Sequence, residues 1–289
     1  MSEANAFVRT SIEKSVQDLP ALPTVVNRIL QETESANACA QTIERMLSSE
    51  QALASKVLRV VNSAYYGLSG QVTSLSQAIV ILGLQQIRNL VLSVGAFSAI
   101  KPRTPRQHEI MKAFWLHSFG TAAAMQAISR KKRFSSQDAE TAFVGGLLHD
   151  IGRLFLFSNF TQTYDQVIKY SEEKQITVEQ AELRLLGLDH GMVGAQMAEF
   201  WKLPDTLIGI IGSHEDPKEE DLQPLVYALN VADWITKDLY FEKGRFEMPP
   251  PPEFVLRWLD FSPEEMDVLR EDTQSKIEDA QQMFGLVAA

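Results

Sequence analysis

Apolar residues recur along this chain at three- and four-residue intervals. Val25, Val26, Ile29 and Leu30 form one stripe, Leu53, Val57, Leu58 and Val61 a second, and Ile87, Leu90, Val91 and Val94 a third. No segment keeps the strict alternation of a half-buried strand, so the pattern predicts an all-α protein. The punctuation agrees. Thr24 follows Pro23, Ser136 precedes Asp138, and Ser262-Pro263-Glu264-Glu265 sets a cap, a first-turn proline and a capping-box glutamate in order. Gly67, Gly83 and Gly152 read as helix stops. Two prolines in Lys101-Pro102-Arg103-Thr104-Pro105 make the clearest internal break, and Pro249 to Pro252 form a short polyproline spacer. The expected organisation is an N-terminal helical subdomain over 1–103, a helical core over 104–248, and a C-terminal part over 249–289. That last part should hold two helices, near 254–260 and 263–284, packed on the core or on a partner.

One motif interrupts the apolar pattern with polar chemistry. In Phe143-Val144-Gly145-Gly146-Leu147-Leu148-His149-Asp150-Ile151-Gly152-Arg153 an imidazole and a carboxylate stand side by side at the end of an apolar run. Burying both costs free energy unless something binds them, and a metal ion is an economical partner. His117 lies 32 residues before His149, His190 lies 40 after Asp150, His214 follows 24 later and Asp233 another 19 later. His117 sits among apolar neighbours in Phe114-Trp115-Leu116-His117-Ser118-Phe119-Gly120 and points into a core. Asp233, in Leu229-Asn230-Val231-Ala232-Asp233-Trp234, needs a partner there, either an ion or a buried salt bridge. After His190, Gly194 allows close helix packing beside the ligand, and Asp189 or Glu199 is the expected acceptor for the second ring nitrogen. The candidate metal set is thus His117, His149, Asp150, His190, His214 and Asp233.

The order His, His-Asp, His, His, Asp on helical segments resembles the HD superfamily of metal-dependent phosphohydrolases. Three further motifs resemble the HDOD family: Leu19-Pro20-Ala21-Leu22-Pro23, Asn62-Ser63-Ala64-Tyr65-Tyr66-Gly67, and Ser74-Leu75-Ser76-Gln77-Ala78-Ile79 leading to Leu82-Gly83. The likeness runs from about Leu19 to about Pro217, with Asp233 beyond it. It implies an HD-like core behind an N-terminal helical subdomain, serving mainly as a bacterial signalling or regulatory module. It also implies one or two divalent ions, with Fe, Mn, Ni, Mg and Zn all suited to mixed imidazole and carboxylate ligands. Asp150 would bridge or balance charge, and Arg153 stands where the superfamily motif usually ends in lysine, so both are candidate catalytic residues for phosphoester hydrolysis. HD-GYP proteins, which hydrolyse cyclic di-GMP, carry two consecutive histidines, a glutamate and a Gly-Tyr-Pro loop. This chain has Ser213 before His214 and Asp216-Pro217-Lys218 in place of that loop, which argues against cyclic di-GMP hydrolysis and for regulatory binding.

Composition narrows the partners. The chain of 289 residues is 45% hydrophobic, enough for a sizeable core. Its single cysteine, Cys39, excludes an internal disulfide and reads as structural in a reducing compartment. The first residues carry Glu3 and Glu13 without an apolar core, and no apolar run reaches the ~18 residues of a membrane span, so a cytoplasmic protein without a signal peptide is expected. Net charge is −10, yet residues 101–133 hold eight Lys or Arg against Glu109 alone, while Glu215 to the end holds eighteen acids and seven bases. Overall acidity makes nucleic acid an unlikely target. The helix, Gly83, helix pattern from Ser76 to Ser93 supplies only Arg88 as a cation in its second half, which favours packing over DNA reading. A signalling protein, or a small phosphorylated or nucleotide ligand, is the expected partner, and Arg130-Lys131-Lys132-Arg133 reads as a helix C-terminus.

Overall fold

The structure is a computed structural model that describes residues 3–34, 39–62, 66, 68, 70–220, 223–241 and 249–287. The helices in chain order are α1 (Glu3–Gln17), α2 (Thr24–Glu34), α3 (Ala40–Ser48), α4 (Gln51–Val61), α5 (Leu75–Leu82), α6 (Leu84–Ala99) and α7 (Pro105–Lys131). They continue as α8 (Ser136–Leu148), α9 (Ile151–Asn159), α10 (Thr161–Lys174), α11 (Val178–Leu186), α12 (His190–Phe200), α13 (Asp205–Ser213), α14 (Pro224–Thr236), α15 (Glu253–Leu259) and α16 (Pro263–Val287). A π-helical stretch, Lys237–Phe241, extends α14. No strand occurs among the described residues, and the protein is all-α.

Two compact units form. Residues 1–19 with 100–274 make one, and residues 20–99 with 275–289 make the other. The break between α6 and α7 lies at the expected Pro102–Pro105 segment, where Thr104 caps α7 by accepting the Gln107 amide at 3.2 Å and Pro105 takes the first turn. The first helix, assigned by the sequence pattern to 1–103, belongs to the first unit because it packs on α11 and α12. Arg9 and Asn5 there donate to the Gly187 and Arg184 carbonyls.

In the second unit, α2, α4 and α5 pack around α6 through Val26, Ile29, Val57, Ile79, Ile87 and Leu90. Asn62 caps α4 and pins the returning chain: its Oδ1 accepts the Val72 amide at 2.7 Å and its Nδ2 donates to the Val72 carbonyl at 2.7 Å. Of the Asn62–Gly67 motif, Ser63, Ala64, Tyr65 and the expected stop at Gly67 lie outside the described residues. Gly83 stops α5 with φ +83°, a conformation that side chains with a Cβ rarely adopt. Val91, Leu92 and Val94 are buried, so α6 is a core helix, as its single cation suggests. No single described helix is long and apolar enough to cross a membrane; α5 and α6 pass that test only together, and they bend by 119° at Gly83. Cys39 is exposed just ahead of α3 and contributes nothing to the core.

In the first unit, the 27-residue α7 pairs with α8, and α14 lies against both. Met125, Ile128, Leu229, Ile235, Val255 and Leu269 join α7, α14, α15 and α16 in one core. Helix α16 opens with the expected capping box: Ser262 Oγ accepts the Glu265 amide and Glu265 Oε2 accepts the Ser262 amide. The cap of α8 is Ser135, one residue before the Ser136 of the sequence reading, because Ser135 Oγ reaches the Asp138 amide at 3.1 Å. Arg130 and Lys131 fill the last turn of α7, as expected. Gly152 is not a stop. It lies inside α9, where a Cβ would sit 2.1 Å from the His190 carbonyl and 2.5 Å from the Gly194 amide, so its hydrogen lets α9 and α12 touch backbone to backbone.

Candidate metal centre

Helix ends build this site. His149 closes α8 and Asp150 opens α9, so the His-Asp pair forms the whole corner between two buried helices. His190 is the first residue of α12, His214 terminates α13, His117 projects from the middle of α7, and Asp233 lies in the last turn of α14. All six are at most 3% exposed. The structure therefore brings together every candidate ligand, in three overlapping groups: His117, His149 and Asp150; His149, His214 and Asp233; and Asp150, His190 and His214.

The separations suit metal ligands. His117 Nε2 lies 3.1 Å from His149 Nε2, and His190 Nε2 lies 3.3 Å from His214 Nε2. Asp233 Oδ1 is 3.1 and 3.3 Å from the Nε2 atoms of His117 and His149. The two oxygens of Asp150 divide between the pairs: Oδ1 is 3.1 Å from His190 Nε2, and Oδ2 is 3.6 and 3.8 Å from those of His117 and His149. Bonds of about 2.0–2.2 Å to one ion place neighbouring ligand atoms about 3 Å apart, which these distances match.

Ring tautomers support the same reading. His149 Nδ1 donates to the Gly146 carbonyl at 2.9 Å and His214 Nδ1 to the Ile211 carbonyl at 2.8 Å. His190 Nδ1 donates to Glu182 Oε2 at 2.7 Å. In the neutral rings of His149, His190 and His214 each Nε2 then carries the lone pair, and those of His190 and His214 face one another at 3.3 Å. Only a proton or a cation between them relieves that arrangement. The chemistry of the set, imidazole nitrogens and carboxylate oxygens around a common centre, suits a divalent ion.

Three charged residues escaped the sequence reading. Glu182 is the acceptor behind His190; besides the ring it accepts the His190 amide at 2.8 Å and the Tyr164 hydroxyl at 2.5 Å. Asp189 and Glu199 do not fill that role. Asp189 caps α12 by accepting the Met192 amide, and Glu199 faces outward. Glu215 Oε1 approaches His190 Nε2 at 3.2 Å, and Lys237 Nζ lies 2.6 Å from both Glu215 Oε1 and Asp233 Oδ2. The buried salt bridge considered for Asp233 is thus present on Oδ2, while Oδ1 faces the histidines. A signal existed for two of them: Glu182 lies four residues before the buried Leu186 on α11, and Lys237 follows Asp233 by four. Arg153 reaches Asp150 Oδ2 at 3.3 Å and Glu215 Oε1 at 3.6 Å.

Proton affinities follow from this crowding. Burial pushes His117 down and takes His214 down to about 4. Burial also opposes charge on His149 and His190, but Asp150 and Asp233 outweigh it at His149, and Glu182 leads the groups that outweigh it at His190; both end above the ordinary histidine value. Burial alone would raise Asp150 and Asp233, yet Arg153 beside the first and Lys237 beside the second hold them well below the usual carboxylate range.

The HDOD domain family matches residues 19–217, and the chain belongs to that family. A protein of Treponema pallidum (strain Nichols) with no assigned role is 24% identical over 241 residues, which are 83% of this chain and 46% of that protein; the chain thus spans under half the length of this curated relative. An HDOD domain protein of unknown function from Geobacter sulfurreducens shares the fold with a TM-score of 0.69 at 24% identity, over 98% of this chain and 96% of that one. A chain from Marinobacter aquaeolei VT8, provisionally classed as a signal transduction protein, gives 0.72 at 21% identity over 99% of this chain and 65% of that one. One from Shewanella amazonensis SB2B, provisionally classed as a metal-dependent phosphohydrolase, gives 0.67 at 19% over 96% and 99%. At these identities the solved structures establish the fold.

Proposed function

We propose that this chain is an HDOD-type regulatory protein whose HD-like site holds a divalent ion and whose output is binding of a signalling protein or a small phosphorylated or nucleotide ligand, with hydrolysis weak or absent. The observation that carries the reading is the state of its two site cations. Arg153 is divided between Asp150 and Glu215, and Lys237 between Asp233 and Glu215. Phosphoryl transfer needs cations aimed at the charge that develops on the substrate. Here both are already committed to carboxylates inside the protein. His117, His149, Asp150, Asp233, His190 and His214 would hold the ion, with Glu182 fixing the His190 ring. A bound divalent ion supplies Lewis acidity and a water acidified toward neutral pH. Signal-transduction classification of a structural relative agrees with a regulatory role.

Retention of all six candidate ligands favours a second reading, an active metal-dependent phosphohydrolase acting on phosphomonoesters, phosphodiesters or nucleotides, with Asp150 and Arg153 in catalytic roles. One assay separates the two. Wild type and Asp150→Ala are tested with Mn, Fe and Ni against generic phosphoesters, nucleotides and cyclic dinucleotides. Trace turnover, equal in both proteins, is the expected result. Turnover on the order of 1 per second or more that is lost in the variant would establish the phosphohydrolase instead.

A further inference from the structure

By ligand geometry alone the centre has room for two ions. One group gathers on Asp150 Oδ2 with His117 and His149, and the other on Asp150 Oδ1 with His190 and His214. Glu215 Oε1, at 3.2 Å from His190 Nε2 and 3.7 Å from His214 Nε2, would complete the second group. Asp233 Oδ1 lies beside His117 and His149, which leaves its Oδ2 as a further carboxylate oxygen next to the first group. A side-chain ammonium holds both Glu215 Oε1 and Asp233 Oδ2: Lys237 Nζ is 2.6 Å from each and is 4% exposed.

We infer that Lys237 sets the capacity of this centre at one divalent ion, its ammonium standing as a permanent cation between Asp233 and Glu215 where a second ion would otherwise be held. The inference rests on the reading of the site as a metal centre. Charge points the same way. The Lys237 ammonium already compensates part of the charge on Asp233 and Glu215, and a second divalent ion held by those two carboxylates would stand beside a like charge among buried side chains, which is unfavourable. Removal of the ammonium changes both factors: it releases two carboxylate oxygens and returns one negative charge.

Metal-stripped protein is dialysed to equilibrium against manganese, bound metal per chain is determined by elemental analysis, and the signal is recorded by electron paramagnetic resonance. Wild type is expected to bind one equivalent with the hyperfine pattern of an isolated ion. Lys237→Met is expected to bind twice as much, with the broadened signal of a coupled pair. Lys237→Gln, which retains hydrogen-bond donors toward Asp233 and Glu215 without the charge, is expected to double likewise and serves if the methionine variant does not fold. Two equivalents in wild type, or one equivalent in a folded variant, would overturn the inference while leaving the metal centre intact. No bound manganese in wild type would instead overturn the metal reading beneath it.

Discussion

The unit formed by residues 20–99 and 275–289 and the unit that carries the histidines differ in what they bury. Among the described residues, the polar ones buried in the first of these are Thr33, Asn89 and Ser93, and the hydroxyls of Thr33 and Ser93 return to carbonyls of their own helices. The other unit buries four histidines, Asp150, Asp233, Glu182 and Lys237. Hydrophobic packing needs no such groups, and each buried charge without a partner costs free energy. One unit is therefore a packing module, while the other gives up stability to hold a reactive set. The charged cluster, more than the size of either core, marks the candidate site.

The sharpest way to break this contrast is to delete the corner residues. A His149→Ala, Asp150→Ala double variant is expected to lose nearly all bound metal and, by taking one carboxylate partner from each of Arg153 and His190, to lose about 3–5 kcal/mol of stability. Elemental analysis with denaturant unfolding checks both, and metal content equal to wild type would contradict the assignment. Next in size, Ile87→Ala in the charge-free core should cost about 2–5 kcal/mol while leaving metal content unchanged. A loss of metal there would show that the contrast between the units is false.

The smallest effect is the dependence on pH. His149 and His190 are raised, so in the metal-free protein they retain protons above the ordinary histidine value, and an ion has to displace them. Each displaced proton should strengthen apparent affinity about tenfold per pH unit, or about 1.4 kcal/mol, until pH passes the raised values. Linkage gives the metal-free protein the opposite trend. The stability that a raised histidine contributes is fully present below its unfolded value of about 6.5 and is lost as pH rises through the folded one. The lowered Asp150 and Asp233 act at the acid end, where their contribution disappears as pH falls. The difference in Tm between metal-loaded and metal-free protein should thus widen from about pH 6 upward, and a constant difference would contradict the proton exchange.

What could be read from the sequence follows the same physics. His117, His149, Asp150, His190, His214 and Asp233 were legible because each lies in an apolar helical segment where it has no ordinary reason to be. Glu215 carried no such mark, and the four-residue spacings of Glu182 and Lys237 were outweighed, because an acid or a lysine on an amphipathic helix, or beside a loop, usually marks the solvent side. Only the packing of α11 beside α10 and α1 turns Glu182 inward. Asp189 is the acid next to His190 in sequence, but the start of α12 already uses its carboxylate. The helix stop expected at Gly152 failed for a related reason. A glycine that turns the chain and one that admits a neighbouring backbone look alike in one dimension, and the Gly152 hydrogen faces the His190 carbonyl.

Glu182 has a consequence for time as well as for position. One carboxylate accepts the Tyr164 hydroxyl, the His190 amide and the His190 ring, and so ties α10, α11 and α12 together beneath the site. An imidazole fastened at Nδ1 by a charge-assisted bond of 2.7 Å cannot swing aside to release what its Nε2 holds. For an ion held as proposed, release through His190 would then require these helices to part, a local opening rather than a side-chain rotation. The lifetime of occupancy would follow the breathing of the fold, so that a centre of only moderate affinity could still exchange slowly with its surroundings.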